Sequence, residues 1–211
     1  QIRLNGKQLP FIVRVEMGTI NRFIYTIAAL KGTDEQLDKP VGDNWNKKLI
    51  YQFRGGVGIG HKQGKNTPTD LIERRLEELK KGYAVIYSTG NQTANHYNIW
   101  LSEDTALRVK QQFNYLYGKE DYVVGVGGSG GAVQQYLIAQ NNPSFLDAAI
   151  ALYSYPDMTT QITYAFDCEL IEYYFDVTDN QNEKWRHWEN RRFIEGMNAS
   201  RDVYNKFSKL Y

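Results

Sequence analysis

A single cysteine, Cys168, in 211 residues excludes an internal disulfide framework and any thiolate metal cluster built from this chain alone. It does not fix the redox compartment, because its partner can lie elsewhere. Histidine is almost as scarce: His61, His96 and His187 are the whole supply. Neither charge dominates, with 25 Lys and Arg against 24 Asp and Glu and a net charge of +1. That balance gives no basic field for nucleic acid or acidic lipid. No apolar run nears the roughly 20 residues of a membrane helix, and no signal-peptide pattern opens the chain. A chain that starts on Gln1 reads as a processed or trimmed product. With 42% hydrophobic and 23% charged residues, the composition is that of a globular protein with a real core. What stands out is 18 glycines, clustered, and 16 tyrosines, spread.

Residues 10–16 alternate apolar and polar and predict a half-buried strand, and residues 22–27 favour another. Residues 31–47 read as loop, and residues 48–53 as a strand running into Gly55-Gly56-Val57-Gly58-Ile59-Gly60-His61. Helical spacing of Leu71, Ile72, Leu76 and Leu79 predicts a helix over 69–81. A buried strand follows at 83–88, then a polar loop over 91–99. Ser102, with Thr105 one turn later, marks the start of a helix with the stripe Ala106, Val109, Phe113, Leu116. Residues 121–126 are an apolar strand meeting Gly127-Gly128-Ser129-Gly130-Gly131, and the chain passes straight into helix over 132–140. Residues 148–153 predict a further buried strand, and the segments 162–175, 183–197 and 200–210 read as helices. Strands alternating with helices and then ceasing argue a doubly wound α/β sheet followed by a helical segment.

Two motifs overlap in the turn after residue 126. Gly127-x-Ser129-x-Gly131 is a nucleophile-elbow pattern, a strand-to-helix turn that holds a serine hydroxyl above the sheet at the positive end of a helix. Gly125-x-Gly127-x-x-Gly130 is a dinucleotide fingerprint, and a plain tight turn is the third reading. The dinucleotide reading wants an acid at the end of the next strand, where only Asp157 stands, beyond Pro156. The elbow reading wants an earlier loop with backbone donors, and the Gly55–Gly56 loop follows a strand as such loops do. The elbow is favoured, with Ser129 as nucleophile and Gly130, Gly55 and Gly56 as oxyanion donors. That loop carries no Gly-Lys-Ser/Thr, so it fails as a phosphate cradle.

A serine hydrolase also needs a histidine and an acid that orients it. His61 is a candidate to line the pocket, His96 reads as a surface residue of a polar loop, and His187 as a packing residue between Trp185 and Trp188. After the nucleophile the hydrolase order is acid and then histidine, each following a later strand. Only one strand follows Ser129 here, and neither Asp157 nor Asp167 has the position of the acid.

The runs Pro10-Phe11-Ile12-Val13-Arg14-Val15-Glu16-Met17-Gly18-Thr19-Ile20-Asn21-Arg22 and Leu49-Ile50-Tyr51-Gln52-Phe53-Arg54-Gly55-Gly56 are the longest distinctive stretches of the first sixty residues. Further along stand His61-Lys62-Gln63-Gly64, Gly127-Gly128-Ser129-Gly130-Gly131-Ala132-Val133-Gln134-Gln135, and Ser154-Tyr155-Pro156-Asp157 with Asp167-Cys168. Together they resemble a family of large bacterial α/β-hydrolases of unknown function, near tannase/feruloyl-esterase-like and hydroxybutyrate-oligomer-hydrolase-like enzymes. The resemblance implies that the chain is a middle section, lacking a preceding β-rich region and a following part with the acid and histidine. It implies Ser129 as nucleophile and Gly130 with the Gly55–Gly56 loop as oxyanion donors. It also implies export, hence a secreted or periplasmic location. Relatives often carry cysteine beside the nucleophile; here that position is Gly128, which leaves Cys168 without an evident partner in the chain.

Asn91-Gln92-Thr93 and Asn198-Ala199-Ser200 match the glycosylation pattern, which arises often by chance. Tyr51, Tyr83, Tyr87 and Tyr122 fit core packing with a wet hydroxyl. Lys184, Arg186, Arg191 and Arg192 with Trp185 and Trp188 fit a solvated face of a lid helix. The expectation is therefore an incomplete α/β-hydrolase-type doubly wound sheet over residues 1–157 and a helical cap-like segment over 158–211. Its function is that of a serine carboxylic-ester hydrolase subunit or fragment, inactive alone, acting on a small ester. Its sheet and triad are completed by the remainder of the same precursor or by another chain. No metal, cofactor, nucleic acid or membrane span is expected. The alternative is a non-catalytic binding or structural module that keeps the hydrolase fold.

Overall fold

The computed structural model describes residues 1–58 and 60–195. The chain divides into two compact units, Gln1–Ser154 and Tyr155–Tyr211. In the first, a small hairpin of β1 (Ile2–Leu4) and β2 (Lys7–Leu9) precedes a six-stranded sheet. Its strands are β3 (Val13–Ile20), β4 (Phe23–Leu30), β5 (Lys48–Arg54), β6 (Ala84–Gln92), β7 (Tyr122–Gly128) and β8 (Ala148–Leu152), in the spatial order β3-β4-β6-β5-β7-β8. The first two pair antiparallel as a hairpin, Val13 opposite Leu30 and Ile20 opposite Phe23, and β4 is antiparallel to β6. From β6 to β8 every pairing is parallel. The sheet is mixed, an incomplete α/β-hydrolase arrangement with an antiparallel hairpin at one end.

Alternation along the strands decides which helix each side chain meets. On one face Leu49, Tyr51 and Phe53 of β5 and Ile86 of β6 pack with Ala106, Val109 and Phe113 of α3 (Ile99–Tyr117) and Ile138 of α4 (Gly130–Asn141). On the other, Ile50, Val85, Tyr87 and Val126 pack with Leu71 of α1 (Pro68–Arg74) and Leu79 of α2 (Leu76–Lys80). These two helices stand where one was expected. Arg75 breaks the segment at φ −125°, ψ 26°, and its guanidinium donates to Gln52 Oε1 at 2.9 and 2.7 Å. α3 also starts earlier than Ser102: Asn98 is its N-cap, accepting from Leu101 N at 3.0 Å.

β8 departs from expectation more sharply. Instead of a buried strand it is an exposed one, with Ile150 49% and Leu152 47% accessible. It is the last strand of the sheet and, among the described residues, pairs only with β7. Tyr51 and Tyr87 are buried as expected, whereas Tyr122 lies exposed at the entry of β7.

In the second unit Asp157 caps α5 (Met158–Tyr173), accepting from Thr160 N at 3.1 Å. The helix runs into one π turn (Tyr174–Thr178), followed by a 3₁₀ turn (Glu183–Arg186) and α6 (Trp188–Glu195). Phe175 is buried here, stacked on Trp185 at 4.3 Å with the Arg191 guanidinium 5.2 Å from its ring. Trp185 and Arg191 are packing residues rather than part of a purely solvated face. Cys168 is a free, half-buried thiol; burial first, then Glu195, Glu172, Asp167 and Glu169, push its pKa up. The segment 200–210 expected as helix, and the pattern at Asn198, lie outside the described residues.

Candidate functional site

The site follows from the order of the strands. The chain leaves β5 for α1 and α2 on one face and returns as β6; it leaves β7 for α4 on the opposite face and returns, on the other side, as β8. Neighbouring strands whose connections diverge leave a crevice beyond their C-terminal ends, where open α/β sheets bind ligands. Here those ends are Arg54 and Gly128, so the Gly55 loop and Ser129 face one crevice.

Ser129 stands between β7 and α4 at φ 57°, ψ −125°, far from either strand or helix geometry. Its N–H donates to Leu152 O at 3.0 Å and its carbonyl accepts from Ala132 N at 2.8 Å. A non-glycine residue in this region stores about 1–3 kcal/mol of strain and persists only where its surroundings over-determine it. The geometry puts the half-buried serine at the positive end of α4, where the Gly130 N–H, first in the helix, has no intrahelical acceptor.

The neighbouring backbone comes so close that side chains are excluded. A Cβ on Gly55 would lie 2.7 Å from Gly128 O, 2.9 Å from Gly130 N and 2.9 Å from the Ser129 Cβ. A Cβ on Gly130 would collide with the Thr93 hydroxyl. The Gly55 backbone, the elbow and Thr93 therefore meet at one point. Gly128 has the same character: a Cβ there would reach the Tyr153 ring at 2.9 Å, so a cysteine at this position needs that ring to move.

Residues 93–97 form the third wall and pin the glycine loop. Thr93 N donates to Arg54 O at 3.3 Å, and its hydroxyl donates to Gly56 O at 2.7 Å. Further along, Gly58 N donates to the Tyr97 hydroxyl at 2.8 Å and Lys62 N to Asn95 O at 2.9 Å. Arg54 anchors the loop's root, paired with Asp70 at 2.6 Å and lying 4.3 Å from the Tyr87 ring.

The histidines are placed apart from Ser129's hydrogen bonds: among the described residues none bonds to it. His61 is exposed on the glycine loop. His96 is not on the surface as expected but 4% exposed, its ring stacked on Phe23 at 4.7 Å. One ring nitrogen, Nε2, faces Gly90 O at 2.8 Å and the other accepts from Asn98 N at 3.2 Å, which fixes a neutral Nε2–H tautomer. Burial lowers its pKa, the Gly90 carbonyl opposes that, and His61 adds to the lowering. The polar loop buries His96 because two backbone groups satisfy both nitrogens. His187 is exposed at the end of the 3₁₀ turn in the second unit. Asp157, the one acid open to a dinucleotide reading, is committed to capping α5, and its bonds from Thr160 hold its carboxyl below the usual range.

Gln134 and Gln135 escaped notice at the level of sequence. Both are buried on α4, at 6% and 0% exposure. The visible signal was two adjacent amides in a helix whose other inward residues are small or apolar. An open depression of about 380 Å³ lined by Ile20, Asn21, Arg108, Gln111 and Gln112 lies on the β3–β4 hairpin and α3, and contains no residue of the elbow. No helix of the described residues is long and apolar enough to cross a membrane.

Among solved structures the chain is similar to an alpha/beta hydrolase fold protein from Chitinophaga pinensis, at 14% identity and TM-score 0.43, covering 88% of this chain and 64% of that one. It is also similar to a predicted CIB-like hydrolase from Thermoplasma acidophilum, at 15% identity and TM-score 0.41, covering 67% and 63%. A third likeness is to an a/b serine hydrolase without lid from Xanthomonas campestris, at 12% identity and TM-score 0.39, covering 69% and 62%. The chain thus spans less than two thirds of the length of each of these proteins. No curated protein matches it. A family model does: over residues 2–210 the chain matches, and belongs to, the tannase-like family of unknown function (DUF6351).

Proposed function

We propose that this chain carries the nucleophile and the oxyanion donors of a serine carboxylic-ester hydrolase whose histidine and acid are contributed from outside it. One observation carries the reading: Ser129 sits at φ 57°, ψ −125° at the start of α4, with the Gly55 backbone packed against it and against Gly130 N. In the reaction the Ser129 hydroxyl adds to the ester carbonyl carbon and gives its proton to the base. The carbonyl oxygen, now negative, is held by the N–H groups of Gly130 and of the Gly55–Gly56 loop. Collapse expels the alcohol, which takes that proton, and water repeats the sequence to release the acid and free Ser129.

His61 lies on the pocket loop and is read as a pocket residue, not as the base. The complement completes the sheet along β8, the exposed strand, and brings the triad partners with it. Export is carried over from the family resemblance, and fractionation of the native host checks it. The opposing reading, a binding module with decayed machinery, draws on His96 being locked by two backbone groups. Turnover of p-nitrophenyl acetate by the full-length protein separates them. Wild type is expected to turn over, and Ser129→Ala to lose at least about 1000-fold of that rate. Equal rates for the two proteins discard the hydrolase reading.

A further inference from the structure

The Gln134 side chain hydrogen-bonds to all three segments that meet at the elbow. Its Nε2 donates to Arg54 O at 3.1 Å at the root of the glycine loop, to Asn91 O at 3.2 Å near the end of β6, and to Gly130 O at 3.3 Å in the first turn of α4. Its Oε1 accepts from the Ser102 hydroxyl at 2.9 Å and from Asn91 Nδ2 at 3.4 Å. Asn91 is itself held, its Oδ1 accepting from the buried Tyr51 hydroxyl at 2.6 Å and its Nδ2 donating to Ser102 O at 2.9 Å. The whole set is buried and joins β5, β6, α3 and α4.

Gln135, one residue on, serves the far side of the turn instead. It donates to Gly127 O at 3.2 Å, to Gly131 O at 2.9 Å and to Ile150 O of β8 at 3.4 Å, and makes no bond to the Gly55 loop. The two amides thus have different tasks. Gln135 holds the angle between β7 and α4, whereas Gln134 holds the distance between α4 and the glycine loop.

That distance sets whether two donors reach one oxygen. Gly130 N–H belongs to α4 and the second donor to the loop after Arg54, and no covalent path shorter than 70 residues connects them. An oxyanion hole works only when both donors already stand about 2.7–3.1 Å from the place where charge develops. We infer that Gln134 is a positioning residue of the oxyanion hole, fixing the gap between Gly130 N–H and the Gly55 loop. This rests on the proposed hydrolase reading and assigns Gln134 a place in it that touches neither substrate nor nucleophile.

Loss of the amide lets the gap drift, and the transition state suffers more than substrate binding does. The test uses the full-length protein with p-nitrophenyl acetate. Gln134→Met, which keeps length and removes every hydrogen bond of the amide, is expected to lower kcat about 10- to 100-fold with KM changed less than about threefold. Leu79→Ala, in the core on the opposite face of the sheet, supplies a control of comparable thermal destabilisation with kcat retained. Should Gln134→Met fail to fold, Ser102→Ala removes the bond to Oε1 together with the hydroxyl's bond from Asn91 Nδ2 at 3.1 Å, and is expected to lower kcat about threefold or more at constant KM. A kcat for Gln134→Met no lower than that of Leu79→Ala, or a loss appearing in KM alone, overturns the inference. If Ser129→Ala keeps wild-type turnover, the hydrolase reading itself has failed and the inference goes with it. If Ser129→Ala is dead while Gln134→Met and Ser102→Ala both retain kcat, only the inference has failed.

Discussion

β6 and β8 are parallel strands of one sheet, each opening on small and branched apolar residues (Ala84-Val85-Ile86 and Ala148-Ala149-Ile150) that read as a buried strand, yet their surroundings are opposite. β6 is buried from Ala84 to Asn91, enclosed between β4 and β5 with α3 on one face and Leu71 and Leu79 on the other. β8, Ala148-Ala149-Ile150-Ala151-Leu152, leaves its larger side chains about half accessible. Small and branched apolar residues predict a strand in both cases; burial depends on neighbours that the strand itself does not encode. The elbow lies between these conditions. On its β5–β6 side the carbonyls of Arg54, Gly56, Asn91 and Gly130 are held by Thr93 and Gln134, while on the β8 side Ser129 N rests on Leu152 O of the open strand.

The comparison can be broken most directly at the packed side. Gly55→Val places atoms where Gly128 O and Gly130 N already stand, and is expected to remove at least about 100-fold of esterase activity in the full-length protein. Retained activity there means the glycine loop does not border the reacting atoms. At the level of stability, Ile86→Ala in β6 should cost about 4 kcal/mol, a full large-to-small core loss. The matching change in β8, Ile150→Ala, is expected to cost less than about 1 kcal/mol in this chain alone. Denaturant melts of the two variants read the contrast. Addition of the complement proposed to cover β8 should enlarge the cost at Ile150 and leave that at Ile86 unchanged; a large cost at Ile150 without any partner removes the distinction between the strands.

The smallest effect concerns His96. Unfolded, its ring titrates near the ordinary value of 6.5, and folded it titrates lower because it is buried. Above pH 6.5 both states are neutral and the ring's contribution is fully present. As pH falls below that value the unfolded state binds the proton first, so stability drops until the folded ring also titrates. His96→Gln should flatten this acid-side slope in thermal melts at pH 7.5, 6.5 and 5.5. An unaltered slope assigns the pH dependence to other groups.

Much of the fold was legible because the patterns were local. The apolar runs of β5 and β7 and the glycines around Ser129 act within a few residues of themselves. What escaped depends on distant contacts. His96 is buried by Phe23 and Gly90, and Arg75, where the helix breaks, binds Gln52 of β5 on the same face of the sheet. Gln134 looks like a solvated helix residue until Arg54, Asn91 and Ser102 are brought to it. Of the site, the turn and its loop were readable from glycine spacing, and the braces that hold them were not.

The central claim is that Ser129 is an activated nucleophile in the assembled protein. Labelling full-length protein with a fluorophosphonate and mapping the modified peptide by tandem mass spectrometry tests it directly. One label is expected, on Ser129, lost in Ser129→Ala; a labelled protein whose modification lies elsewhere, or no label on an esterase-active preparation, rules out Ser129 as the nucleophile.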